Sequence, residues 1–186
     1  MKLTREVVDE RAAEYADREP LYVVEQEAIE TLGDALAAGE YGWRDVEWIV
    51  RWYYRRSLGA IPDAERRVAE ERFRQNEFGV VREAIEGVCA ASDDDSRIER
   101  LTALSGVDVP GASAFLLFFD PDRYAVVGRR EWTVLWEAGE LSDPYPDPLP
   151  TTSYEEYLGC CRALGDRFDC DMWTLYRALW RLGAAK

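Results

Sequence analysis

Apolar residues recur along most of the chain at intervals of three and four, the spacing that places them on one face of an α-helix. Two clear examples are the set Val24, Ala28, Leu32 and Leu36 and the set Val46, Ile49, Val50 and Tyr53. No stretch of the sequence alternates apolar and polar residues for long enough to indicate a β-strand. The pattern therefore predicts an all-α fold.

Turn and capping residues divide the chain into a series of predicted helices. The first spans residues 4–16 and is so acidic that we expect it to lie loosely at the periphery. The second spans residues 21–38, and the third, within residues 42–59, is apolar around most of its circumference and is expected at the centre of the core. Further helices are predicted within residues 64–76, 77–91, 128–139, 154–164 and 171–183. At 186 residues, the chain predicts one domain spanning residues 1–186.

Residues 96–119 predict two short helices joined by a tight turn. Ser96 and Glu99 have the spacing of a capping box at the start of the first helix, which stops at Gly106. Pro110 lies where a first-turn proline is tolerated, and residues 112–119 continue as an apolar helix. Backbone N–H groups of such a turn point outward together, so the hairpin is a candidate anion site.

A longer motif surrounds this hairpin. It consists of Leu101, Leu104, Gly106, Val107, Ala112, Ser113, Pro121, residues 124–127, Arg130 and Trp132, with Trp52 and Arg56 upstream. The motif resembles the helix-hairpin-helix DNA glycosylase superfamily over roughly residues 46–141, and it is most similar to a largely uncharacterised glycosylase-like group. The resemblance implies a helical glycosylase fold with duplex DNA as its partner. The residues implied to contact nucleic acid are Gly106, Val107, Arg56, Arg129 and Arg130.

Three positions depart from the superfamily pattern. Gly128 stands where the superfamily carries its catalytic aspartate, and glycine cannot stabilise a cationic sugar or activate a nucleophile. Pro110 stands where bifunctional members carry a nucleophilic lysine. Asp108 replaces a second glycine of the hairpin, and its carboxylate is placed to cap the second helix and repel a phosphate.

These departures leave three functions open. The leading hypothesis is a non-catalytic or vestigial glycosylase-like protein that associates with DNA. The second is an active base-excision glycosylase with a displaced carboxylate, for which Asp120 and Asp122 are the weak candidates. The third is a protein-interaction or structural domain without affinity for nucleic acid, which a buried Arg130 and an Asp108 folded onto the hairpin amides would favour.

The charge balance predicts a halophilic cytoplasm as the setting. The chain carries 23 Lys plus Arg against 37 Asp plus Glu, a formal net charge of −14. Such acidic surfaces suit molar salt, where charge repulsion is screened to a few ångströms. Because screening also removes the long-range repulsion from DNA phosphates, the net charge does not exclude DNA binding.

The remaining composition excludes several kinds of site. The chain has no histidine, which excludes histidine metal ligands and Ser-His triads. Its four cysteines are Cys89, Cys160, Cys161 and Cys170, and their spacing fits neither a zinc site nor an iron–sulfur cluster. The sequence therefore predicts neither a metal site nor a cofactor. The charged N-terminus and the lack of a long apolar run predict a cytoplasmic protein without a membrane segment.

Overall fold

The computed structural model describes residues 2–56 and 62–184. Over these two ranges the regular secondary structure consists of α-helices without a strand, which confirms the all-α prediction. The helices are α1 (Arg5–Arg18), α2 (Tyr22–Ala38), α3 (Trp43–Arg55), α4 (Asp63–Arg74), α5 (Phe78–Ala90), α6 (Asp94–Thr102), α7 (Val109–Phe119), α8 (Arg129–Ala138), α9 (Thr151–Phe168) and α10 (Met172–Ala184). Residues 57–59, the end of the predicted third segment, lie outside the described ranges.

Helix α7 is the centre of one half of the molecule. Every residue from Pro110 to Phe118 is buried, and the helix packs against α2, α3 and α6. Gly33 of α2 allows this close packing, because a Cβ there would lie 2.7 Å from the carbonyl oxygen of Phe119. The all-round apolar sequence of α7 therefore corresponds to a helix enclosed on all sides.

The first helix is an integral part of the core rather than a peripheral one. Helix α1 packs along α10 and buries Val8, Ala12 and Tyr15. Arg181 of α10 extends the contact through ion pairs to Glu14 at 2.9 Å and Glu19 at 2.8 Å. The acidic composition of α1 concealed a narrow apolar stripe, and the burial of that stripe fixes the position of the helix.

Two helices begin earlier than the sequence predicted. Helix α6 begins at Asp94 and is capped by Asp93, whose Oδ1 accepts the backbone N–H of Ser96 at 2.8 Å. Helix α9 begins at Thr151 instead of after Ser153. An aspartate satisfies the same free backbone donors as a serine, so Asp93 caps this helix in place of the predicted Ser96.

A buried extended segment, residues 124–127, connects the two halves. The N–H of Val127 donates to Ser113 Oγ at 3.0 Å, and the carbonyl of Val126 accepts from Tyr157 Oη at 2.9 Å. The segment leads directly into Gly128 and α8, which packs on α10. The start of α8 therefore lies where two groups of helices meet. One group is α2–α7, and the other is α1, α8, α9 and α10.

No helix within residues 2–56 and 62–184 combines the length and the apolar character needed to cross a membrane.

Candidate functional site

A cleft of about 750 Å³ lies where the ends of α3 and α10 meet the starts of α7 and α8. We call it the α8 cleft. Its aromatic lining residues are Tyr53, Tyr54, Tyr145 and Trp180, and its charged lining residues are Arg56, Glu65, Asp108, Arg129, Arg130, Glu131 and Asp147. The volume falls within the range of small-molecule sites in proteins, which are commonly aromatic with a few convergent polar groups.

Arg56, implied by the resemblance to contact nucleic acid, is a buried cation in the wall of this cleft. It is 6% exposed. Its guanidinium carbon lies 4.4 to 5.6 Å from the ring centroids of Trp52, Tyr53, Tyr176 and Trp180. Its Nη1 also donates to Tyr176 Oη at 3.2 Å. Cation–π contacts with four rings hold the charge in place, and burial leaves little of it for a phosphate.

Glu131 is a buried carboxylate beside Arg56 that the sequence analysis did not single out. Its side chain is 0% exposed, and its Oε1 lies 3.6 Å from Arg56 Nη2. Neither of its oxygens accepts a hydrogen bond from any described residue. Leaving a buried acceptor unsatisfied is costly, so such groups are uncommon and call for an explanation. The sequence feature that could have pointed to it is a glutamate at the third position of the helix that follows Gly128.

Gly128 gives the buried pair its space. A Cβ at this position would lie 2.7 Å from Glu131 Oε2 and 3.2 Å from Arg56 Nη2. The φ of Gly128 is −157°, which any residue adopts, so the limit on this position is space and not backbone conformation. The pair Arg56–Glu131 therefore occupies the volume that a side chain at position 128 would need.

The two arginines that begin α8 differ in their surroundings. Arg129 is exposed, pairs with Asp147 at 2.6 Å, and lies 4.8 Å from the centroid of Tyr145. Arg130 is half-buried with its guanidinium carbon 4.0 Å from the centroid of Trp180, and it makes no hydrogen bond or ion pair with the described residues. Burial lowers the pKa of Arg130. Among the described residues, Arg130 is thus the cleft cation whose guanidinium has no polar partner.

The hairpin turn faces another helix. Gly106 has a φ of +79°, as a tight glycine turn requires, and a Cβ there would lie 2.6 Å from the backbone nitrogen of Phe73 in α4. Val107 is buried. Asp108 Oδ1 accepts the N–H of Gly111 at 2.8 Å, which confirms the expected cap on the second helix of the hairpin. The structure thus places Gly106 and Val107 against α4, with a carboxylate on the amides that follow.

The two aspartates considered as displaced catalytic groups lie away from the α8 cleft. Asp120 lies near Gly33 on the α2 side of the molecule. Asp122 lies near the turn between α9 and α10, among Asp166, Asp169 and Asp171. The buried carboxylate that the structure brings to the cleft is Glu131.

No set of three or more Cys, Asp or Glu side chains in the described part of the chain is arranged to hold a metal ion. The four cysteines are free thiols, and Cys161 is fully buried on the apolar side of α9.

Comparison with known proteins gives one distant structural likeness. No protein-family model and no curated protein matches the chain. A crystal structure of Methanocaldococcus jannaschii 8-oxoguanine glycosylase/lyase, in complex with 15mer DNA containing 8-oxoguanine, is similar with a TM-score of 0.46 and 16% identity. The similarity covers 98% of this chain and 91% of that chain.

Proposed function

We propose that this chain is a vestigial, non-catalytic protein related to the helix-hairpin-helix DNA glycosylases, and that it associates with DNA through the α8 cleft. The observation that carries the proposal is Arg130, a half-buried cation that forms no ion pair with residues 2–56 and 62–184 and is stacked on Trp180 in the wall of the cleft. An arginine held this way keeps its donors directed outward for a phosphate oxygen. Aromatic rings beside it offer stacking surface to an unpaired base.

We assign the DNA contact to the α8 cleft and not to the hairpin, because the hairpin lacks free hydrogen-bond donors where a phosphate would bind. Asp108 already accepts the N–H of Gly111, and its negative charge opposes a phosphate. The turn glycine, Gly106, packs on the backbone of α4. The hairpin therefore serves as packing, while Arg129 and Arg130 at the start of α8 carry the phosphate contact.

The setting proposed for this binding is molar salt. With a net charge of −14, the protein is repelled by DNA at low ionic strength. At about 1 M salt the Debye length is roughly 3 Å, so contacts within the cleft outweigh the repulsion from the rest of the surface. We therefore expect affinity for DNA to rise with KCl concentration before it falls.

The test is fluorescence anisotropy with labelled duplexes, one intact and one with an abasic site, across KCl from low to molar concentration. The expected result is tighter binding of the abasic duplex, and Arg130→Ala should weaken it and reduce the salt slope by about one. Arg82→Ala is the matched control, because Arg82 is an exposed arginine of α5 outside the cleft. Absence of binding at every salt concentration would refute the proposal and favour the protein-interaction alternative, with which the cap made by Asp108 also agrees.

An active base-excision glycosylase is the second candidate, and Glu131 is the observation that favours it. Its carboxylate lies beside position 128, where the family resemblance places the catalytic aspartate, and its Oε1 lies 3.6 Å from Arg56 Nη2. A base-release screen tests this candidate: duplexes that carry damaged bases are incubated with the protein, and hot alkali then converts any abasic sites into strand cleavage. Activity lost in Glu131→Gln and kept in Asp120→Asn and Asp122→Asn would support it, and no cleavage of any substrate would remove it.

A further inference from the structure

A second, smaller groove of about 230 Å³ lies between α2 and the start of α3, and we call it the α2–α3 groove. The described residues that line it are all different from those that line the α8 cleft. Val24, Ala28 and Leu32 of α2 form its apolar wall, the Trp48 ring of α3 forms its aromatic wall, and its charged lining residues are Glu27 and Asp45. Sites for drug-sized ligands begin at about 300 Å³, so the volume of this groove suits one inserted side chain.

The Trp48 ring gives the groove a fixed aromatic surface. Its centroid lies 5.1 Å from the ring centroid of Phe118 and 6.5 Å from that of Trp52, and the residue is half-buried. These inner contacts hold the ring in place as part of the groove wall. Indole is the side-chain ring that attracts a cation best, and arginine is the cation found on such rings more often than lysine.

The two carboxylates of the groove lack a cation among the described residues. Asp45 Oδ2 accepts the backbone N–H of Gly42 at 2.7 Å, while Asp45 Oδ1 has no polar partner within residues 2–56 and 62–184. The Glu27 carboxylate is exposed and forms neither an ion pair nor a hydrogen bond with those residues. Two uncompensated negative charges beside an indole ring favour a positively charged occupant. A guanidinium suits this arrangement better than an ammonium, because its planar group stacks on a ring while its N–H donors reach carboxylates.

Exposed apolar surface next to the groove indicates that the cation belongs to a polypeptide. Val24 is 47% exposed, and the preceding residue, Val23, is 78% exposed. On a helical partner, an apolar side chain one turn away from the inserted cation would cover these valines. The groove carboxylates make a basic partner complementary in charge, whereas a second copy of this chain, with its net charge of −14, lacks that complementarity.

We propose that the α2–α3 groove binds an arginine side chain from a helical segment of a basic partner protein, with the guanidinium stacked on Trp48 and donating to Glu27 and Asp45. The aliphatic part of the arginine packs along Val24 and Ala28, since a long charged side chain covers apolar surface with its stem. This interaction goes beyond the proposed association with DNA and uses a different part of the molecule. Either can therefore fail without the other.

The test is fluorescence anisotropy with two labelled, alanine-rich helical peptides of about 20 residues, a length at which such helices form in water. The peptides differ at one position, four residues after a leucine, which is arginine in one and citrulline in the other. Citrulline keeps the shape of arginine and lacks its charge. At about 1 M KCl the Debye length is roughly 3 Å, which suppresses non-specific attraction to an acidic surface. We expect the arginine peptide to bind the wild-type protein about fivefold to twentyfold more tightly than the citrulline peptide.

Three variants separate contact in the groove from general charge. Trp48→Leu should reduce the preference for arginine about threefold or more, because the ring is lost. Glu27→Lys should abolish the preference and should bind a peptide with glutamate in place of arginine more tightly than the wild type does. Because Glu27 is exposed, this test stands even if Trp48→Leu does not fold. Glu99→Lys is the matched control, since Glu99 is an exposed carboxylate of α6 outside the groove and its replacement changes the net charge equally.

Three outcomes overturn this inference. The first is equal affinity of the wild-type protein for the arginine and citrulline peptides. The second is an equal loss of the preference in Glu27→Lys and Glu99→Lys, because general charge would then account for the binding. The third is self-association in sedimentation velocity that Glu27→Lys removes, which would assign the groove to a second copy of this chain. None of these outcomes bears on the DNA measurements.

Discussion

Gly128→Ala is the substitution that most directly tests the geometry of the buried pair. The added Cβ would lie 2.7 Å from Glu131 Oε2 and 3.2 Å from Arg56 Nη2. To relieve the overlap, the carboxylate must move, and it gives up its contact with Arg56 in doing so. Overpacking of this kind costs about 1–3 kcal/mol. Alanine also makes the unfolded chain less flexible than glycine does. Because the φ of Gly128 suits alanine, this stabilises the folded state by about 0.4–1 kcal/mol.

From the middle of each range, the expected net loss is about 1.3 kcal/mol of unfolding free energy. With a urea slope of about 2 kcal/mol per molar, the unfolding midpoint should fall by roughly 0.5–1 M. Gly159→Ala is the matched control, since Gly159 lies inside α9 and a Cβ there would contact nothing within 4 Å. That change should raise the stability by about 0.5–1 kcal/mol.

A double-mutant cycle identifies the group responsible for the loss. In a Glu131→Ala background the added methyl group has no carboxylate to meet and keeps only its 3.2 Å contact with Arg56 Nη2, so Gly128→Ala should cost less than in the wild type. A Gly128→Ala variant as stable as the wild type would refute the reasoning, because the space at position 128 would then be empty.

Three further changes test other parts of the structure. Gly106→Ala should cost about 2–5 kcal/mol in urea unfolding, because φ is +79° and the Cβ would lie 2.6 Å from the backbone nitrogen of Phe73. Burial raises the pKa of Glu25, so its contribution to stability is full at low pH and is lost as the pH rises through that raised value. Glu25→Gln should therefore show a smaller loss of stability in thermal melts as the pH rises above roughly 4. Asp94→Ala removes the acceptor of Tyr124 Oη at 2.7 Å and should lower the unfolding free energy by about 1–3 kcal/mol.

The helices were predictable from the sequence because each depends on a local repeat. Apolar spacing of three and four residues located α2, α3 and α10, and the positive φ of Gly39 agrees with the helix end predicted there. The capping residue of a helix was harder to predict, because the side chains of several neighbouring residues satisfy the same backbone donors. The run 93–95 shows this, because Asp93 takes the cap that the capping box assigned to Ser96.

The site was not predictable in the same way, because its contacts join residues that are far apart in the chain. Arg56 and Glu131 lie 75 positions apart in the sequence, and no local pattern relates them. Arg56 was expected to contact nucleic acid, as the family resemblance implied. Its burial follows from Tyr176 and Trp180 of α10, whose rings face it only after folding. Tertiary packing, and not local propensity, decides such cases.

The buried polar groups also connect the first helix of the chain to the α8 cleft. Glu25 of α2 accepts from Tyr15 Oη of α1 at 2.8 Å and from Trp52 Nε1 of α3 at 2.6 Å. The Trp52 ring lies 5.1 Å from the guanidinium carbon of Arg56, which in turn faces Glu131. Each of these groups is buried, so a change in one alters the desolvation and pairing of the next. The burial of α1 thus has a consequence beyond stability, because through Tyr15 and Glu25 it fixes the ring against which the cleft cation rests.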